Sequence, residues 1–415
     1  MKKISVMLML VLICTTGFAQ KKLVSSAKNK ASNTESPDFA GARQDIQAAL
    51  ENEETKDQAN TWFVAGLIGY KENEYYMLQS QLGQTKDDGK VGEAVVESYN
   101  YWLRADEIAM TPVLDKKGKE VVDTKMRKQI ADKMAEYYRM QDLVKYGIYL
   151  NDKRDYATAY DVFMMHLNIP DLPMMQSEKY QKEMKKDTIY MQYKYYAGMF
   201  ATQSGKHKEA IDIFESMKDG DYEAVTINQF LYQEYVEMRD TANFVRVLQD
   251  AVGKFPQEPW FLQNLINYYI FSGQESQAIE YLNKAIEMEP NVAQYHFIMG
   301  NLYERSERFE EALAEYDKAL AINPDYAEAY GGKGYVFARQ GDVVGEKAAY
   351  IQDSKAYKAA LAEQKEFYRK SVPFYEKAHE IDRENMDFVR ALKSLYYRLD
   401  MDDKRAALIE EMNNY

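Results

Sequence analysis

Residues 293–326 read "AQYHFIMGNLYERSERFEEALAEYDKALAINPDY" and hold one complete structural unit. Within it Leu302, Phe309, Ala312, Leu313, Tyr316, Ala319 and Leu320 recur at three- and four-residue steps, divided by the polar "ERSER" of 304–308. That spacing predicts two amphipathic helices joined by a short turn. Gly300, Ala312 and Ala319 are small enough to let the two backbones approach closely. Pro324 stops the second helix, since it has no N–H to give and restricts the residue before it. Asp325, with Glu328 three residues on, reads as a capping box that starts the next helix. A hairpin of this size cannot bury its apolar face alone, and stacking on neighbours of the same kind solves the problem.

Such neighbours are present. In "FPQEPW", "MEPNVA" and "INPDYA" the prolines Pro256, Pro290 and Pro324 stand 34 residues apart. The same step links Met217, Ala251, Ala285 and Ala319, and also Ala210, Phe244, Ala278 and Ala312. With Gly300, Tyr303, Ala312, Tyr316, Ala319 and Pro324 all in register, the sequence resembles the tetratricopeptide repeat family. The resemblance implies an all-α fold, a right-handed superhelical solenoid of stacked helix-turn-helix repeats. Its clean units are 191–224, 225–258, 259–292 and 293–326, with 140–173 a further good fit and 174–190 an inserted segment. Together 140–326 form the regular array. Before it, 20–139 reads as irregular helical repeats with insertions at about 70–90 and 111–123, the latter a non-helical loop with a Lys-Gly turn. After it, 327–415 reads as a repeat with a long insertion, about 342–366, and a final helix pair from 386.

The first residues belong to a different category. "MKKISVMLMLVLICTTGFAQKK" has a basic start at Lys2 and Lys3, an apolar run from Ile4 to about Cys14, and the small-x-small pattern Gly17-Phe18-Ala19. This predicts a secretory signal peptide over 1–19 and an exported, periplasmic protein. A lipid anchor on Cys14 is the lesser alternative, because Ile13 stands where that signal wants a small residue. Cys14 is the chain's one cysteine, so cleavage after Ala19 leaves neither disulfide nor thiolate. No later stretch approaches the roughly 20 apolar residues of a membrane span. With 53 basic against 66 acidic residues, a net charge of −13 disfavours nucleic acid.

Chemistry-bearing motifs are missing. His166, His207, His296 and His379 show no ligand spacing, and neither "HExxH" nor "CxxC" nor "GxSxG" occurs. The sequence therefore predicts no catalytic residue, no metal site and no cofactor. "AYGGKGYVFARQGD" (329–342) resembles a phosphate loop at first sight, but Gly334 follows Lys333 where a hydroxyl residue is required. In the repeat register it is instead a first helix running into its turn at Gly341. Gly331 and Gly332 lie outside the repeat pattern. They predict a thinned joint facing the groove, at which alanine would raise stability.

The family resemblance implies that first-helix positions 2, 5, 9, 12 and 13 line a concave groove holding a protein or peptide partner. Carried onto this sequence, those positions give Tyr195, Met199, Gln229, Gln233, Trp260, Gln263, Asn267, Phe271, Phe297, Asn301, Arg305 and Arg339. The set mixes aromatic anchors with amides suited to an extended backbone. Arg305 and Arg339 are its only basic members, too few for a carboxylate clamp. The leading reading is an exported, non-enzymatic scaffold or adaptor in envelope assembly. The alternatives are an enzyme, or enzyme subunit, with a site built by the insertions, and a purely structural spacer.

Overall fold

The computed structural model describes residues 21–84, 87–184 and 186–413. The expected leader, 1–19 with Cys14, lies outside the described residues. The chain divides into two units, one up to Phe244 and one from Val245, and each is a stack of helical hairpins.

In the first unit, α1 (21–31) and α2 (Phe39–Leu50) close a small core of Val24, Ala27, Ala42, Ile46 and Ala49 against Val64 and Ile68. Those last two belong to α3 (Ala59–Gln81), which pairs with α4 (Asp88–Ala109). The insertion at 70–90 is thus taken up largely as extra helix length. Trp102 is fully buried where α3 and α4 meet α5 (Thr124–Met140): its ring lies 5.8 Å from Tyr70 and 5.3 Å from Tyr137, and its N–H reaches the Phe63 carbonyl at 3.2 Å. Between α4 and α5, the expected loop is a β-hairpin of β1 (Val113–Leu114) and β2 (Glu120–Val121). The Asp115 carboxylate accepts from the N–H groups of Lys117 and Lys119, and Gly118 turns the chain at φ 75°.

Next come α6 (Asp142–Asp152) and α7 (Tyr156–Asn168), packed on each other. The segment after them forms two 3-10 turns, Ile169–Asp171 and Pro173–Met175, and the short α8 (Glu178–Glu183). Then α9 (Thr188–Gln203) pairs with α10 (His207–Glu215), and α11 (Ala224–Glu237) follows. The boundary between the units falls within α12 (Thr241–Lys254).

The second unit continues with α13 (Pro259–Phe271) and α14 (Glu275–Met288), then α15 (Ala293–Arg305) and α16 (Phe309–Ile322). Two long helices follow, α17 (Ala327–Ala348) and α18 (Ser354–Ile381), and finally α19 (Met386–Arg398) and α20 (Asp402–Asn413). Helix pairing follows size complementarity. Gly300 on α15 faces the ring of Tyr316 on α16, and a β-carbon there would stand 2.6 Å from Cε1. One unit earlier the same register positions hold two residues of equal size, Ile266 and Leu282.

Six of the described hairpin turns share a conformation. Arg154, Gly205, Arg239, Gly273, Glu307 and Asp400, the residues ending these turns, all have left-handed φ between 55° and 73°. Only two of them are glycine, the residue that occupies this region without steric cost.

Three expectations for 324–342 are corrected. Gly341 does not turn: α17 runs on to Ala348, and Gly341 is needed because a β-carbon would stand 2.8 Å from Cε1 of Tyr368 on α18. Gly331 and Gly332 do not thin a groove wall: they are close-packing positions, Gly331 against Phe388 of α19 and Gly332 against Tyr316 of α16. Nor does Asp325 cap α17. Tyr326 is the N-cap, without a side-chain bond, and the backbone N–H of Asp325 instead donates to Asn323 Oδ1 at 3.2 Å, which tightens the turn around Pro324.

Candidate functional site

The proposed groove residues fall in both units, and each group stands within its own. In the first unit Tyr195 is a packing residue. Its ring centroid lies 6.4 Å from Phe214, 5.9 Å from Tyr222 and 6.1 Å from Phe230, tying α9 to α10 and α11. Met199 and Gln229 are half-buried, and Gln233 is exposed.

In the second unit α13 presents Trp260, Gln263, Asn267 and Phe271 at three- and four-residue steps, which places them on one face of the helix. Trp260 is half-buried, edge-on to Phe261 at 5.1 Å, whereas Gln263 and Asn267 are exposed. Phe271, an aromatic residue at the end of the helix, is 89% exposed. On α15, Phe297 packs on Tyr316 at 5.9 Å and on Tyr326 at 5.1 Å, so its ring serves the stack. Asn301 is likewise engaged: the Tyr316 hydroxyl lies 2.6 Å from its Oδ1 and 2.9 Å from Glu304 Oε2, one proton for two acceptors. Burial holds the Glu304 carboxyl above its ordinary range, opposed by the Tyr316 hydroxyl and by Arg305. Arg305 itself is exposed. Arg339 on α17 is neutralised by Glu346 at 2.7 Å and Glu307 at 3.0 Å, and so is not a free cation for a ligand.

The structure therefore divides the twelve residues. Gln233, Asn267, Phe271 and Arg305 are open to a partner, Met199, Gln229 and Trp260 are half-buried, Gln263 is exposed but donates to the Tyr295 hydroxyl at 3.5 Å, and Tyr195, Phe297, Asn301 and Arg339 are spent on packing, hydrogen bonds or ion pairs. Sequence reasoning missed Tyr335, 47% exposed on α17 at the register position of Asn267 and Asn301, and Glu304, at position 12 of its unit. The repeat register itself was the signal for both. Among the described residues, no three His, Cys, Asp or Glu side chains gather as metal ligands, and no helix is long and apolar enough to cross a membrane.

Comparison with known proteins agrees with this architecture. The "Tetratricopeptide repeat" profile matches residues 264–292, and a "TPR repeat" profile matches 300–341. Both matched stretches are tetratricopeptide repeats. Its α13 to α17, the helices that present the exposed stripe, lie largely within the matched stretches. This repeat protein is 25% identical over 165 residues to anaphase-promoting complex subunit 3 of Schizosaccharomyces pombe, covering 38% of this chain and 24% of that one. It is 30% identical over 105 residues to protein O-mannosyl-transferase TMTC1 of Mus musculus, covering 22% of this chain and 11% of that one. The repeat protein thus spans a quarter or less of the length of either curated relative. A crystal structure of MamA shares 19% identity, covers 45% of this chain and 89% of its own, and superposes with a TM-score of 0.35.

Proposed function

We propose that this repeat protein is an exported scaffold that binds an extended peptide segment of a partner along the first-helix face of its second unit. Phe271 is the observation that carries the reading. A ring left 89% exposed at the end of an α13 stripe, beside two exposed amides, is the composition of an interface anchor with backbone-bonding neighbours. Arg305 and Tyr335 extend the same face with a cation and a second exposed ring. Anaphase-promoting complex subunit 3 is by its name a component of an assembly, which accords with an adaptor role for the repeats the two share. The leader expected at 1–19 supports export, and the periplasm is the compartment proposed.

The reading assigns no chemical step to the protein; the face offers groups for binding. Crosslinked affinity recovery from the native envelope, run in parallel on the wild type and on Phe271→Ala with Asn267→Ala, tests it. Partners retained by the wild type and lost by the variant are expected. Recovery of an identical set by both proteins rejects this face as the binding surface.

A further inference from the structure

A cavity opens in the first unit, where the segment interrupting the array passes α5, α7 and α9. It measures about 440 Å³, within the range of small-ligand pockets. Its wall is aromatic. The rings of Tyr138 and His166 stack at 4.6 Å and 2°, and Tyr193 meets His166 edge-on at 5.4 Å. His166 is 2% exposed, and its Nδ1 has no hydrogen-bond partner. Burial lowers its pKa to about 4 and raises that of Tyr138 to about 12, so both rings are uncharged near neutral pH.

The charged lining is acidic in excess. Among the described lining residues, Glu183 and Asp187 face a single guanidinium, Arg139, which holds Glu183 only loosely at 3.7 Å. Asp187 accepts from the N–H groups of Ile189 and Tyr190 through Oδ1. Two of the described lysines lie near but are otherwise placed. Lys186 pairs with Asp171 at 3.0 Å, and burial lowers the pKa of Lys194. The chain already brings an ammonium to one of these rings, since Lys186 Nζ lies 5.6 Å from the Tyr190 centroid.

We infer that this cavity binds an organic cation, an ammonium or guanidinium group held against the tyrosine faces by cation–π attraction and neutralised by Asp187 and Glu183. Both sources of that chemistry fit, a free small amine or a basic side chain of a partner.

Saturation-transfer NMR on the full chain at fixed ionic strength tests the inference, with tetramethylammonium, N-acetyl-lysine amide, neutral tert-butanol and acetate as probes. The two cations are expected to saturate while tert-butanol and acetate do not. A preference for the lysine derivative marks a side chain as the source, and equal binding marks a free amine. Asp187→Asn with Glu183→Gln should weaken cation binding at least tenfold at an unchanged melting temperature, because asparagine still caps α9. Tyr138→Phe keeps the ring face and should keep the binding. Equal binding of tert-butanol, or cation binding indifferent to the double variant, overturns the inference.

Discussion

A β-carbon on Gly332 would stand 2.6 Å from Cζ of Tyr316, the fully buried ring at the centre of the α15–α16 hairpin. Gly331 is held in the same way, 2.5 Å from Cε1 of Phe388. Both neighbours are rings locked in packing and cannot yield as a flexible side-chain tip would. Gly331→Ala and Gly332→Ala are each expected to destabilise, because overpacking costs about 1–3 kcal/mol and outweighs the roughly 1 kcal/mol helix-propensity gain. Gly253→Ala, with nothing within 4 Å of the added carbon, is the control and should be neutral or stabilising. Thermal melts of the three variants check the sign.

The shared turn geometry gives a paired prediction. Gly205 has φ 73° and open space around it, so Gly205→Ala carries only the conformational cost of a left-handed β-carbon, about 1 kcal/mol. Arg154 occupies the equivalent place at φ 61° and already bears that cost. Arg154→Gly should therefore stabilise while Gly205→Ala destabilises, as read from denaturant midpoints.

His166 predicts an acid-sensitive first unit. Its folded pKa of about 4 lies below the ordinary 6.5, so on acidification the unfolded chain takes up the proton first. Stability is complete above pH 6.5 and is lost as the pH falls toward 4, by about 3 kcal/mol from this group. His166→Phe keeps a ring against Tyr138 and removes the proton site. The difference in melting temperature between variant and wild type should widen in favour of the variant from pH 6.5 to 4; a flat difference contradicts the assignment.

The hairpins were legible because their signal is periodic. Apolar steps of three and four residues and a 34-residue proline interval set the helices of 293–326 without any tertiary knowledge. The site was less legible, since register gives the side a residue faces and not what it touches there. Phe297 and Asn301 share that side with Phe271 and Asn267, yet the far end of their own unit supplies Tyr326, and the paired helix supplies the Tyr316 hydroxyl. Gly331 and Gly332 failed for the same reason, because the rings of Tyr316 and Phe388 are 16 and 57 residues away in sequence. The 440 Å³ cavity had no local signal at all, being built by α5, α7, an irregular insertion and α9.

Partner binding by the exposed stripe of α13 can be tested at two of its exposed members. The most direct measurement is the dissociation constant of a recovered partner for the wild type and for Phe271→Ala with Asn267→Ala, with melting temperatures taken on the same samples. At least a tenfold weakening, about 1.4 kcal/mol, is expected at an unchanged melting temperature. An unchanged dissociation constant would contradict it.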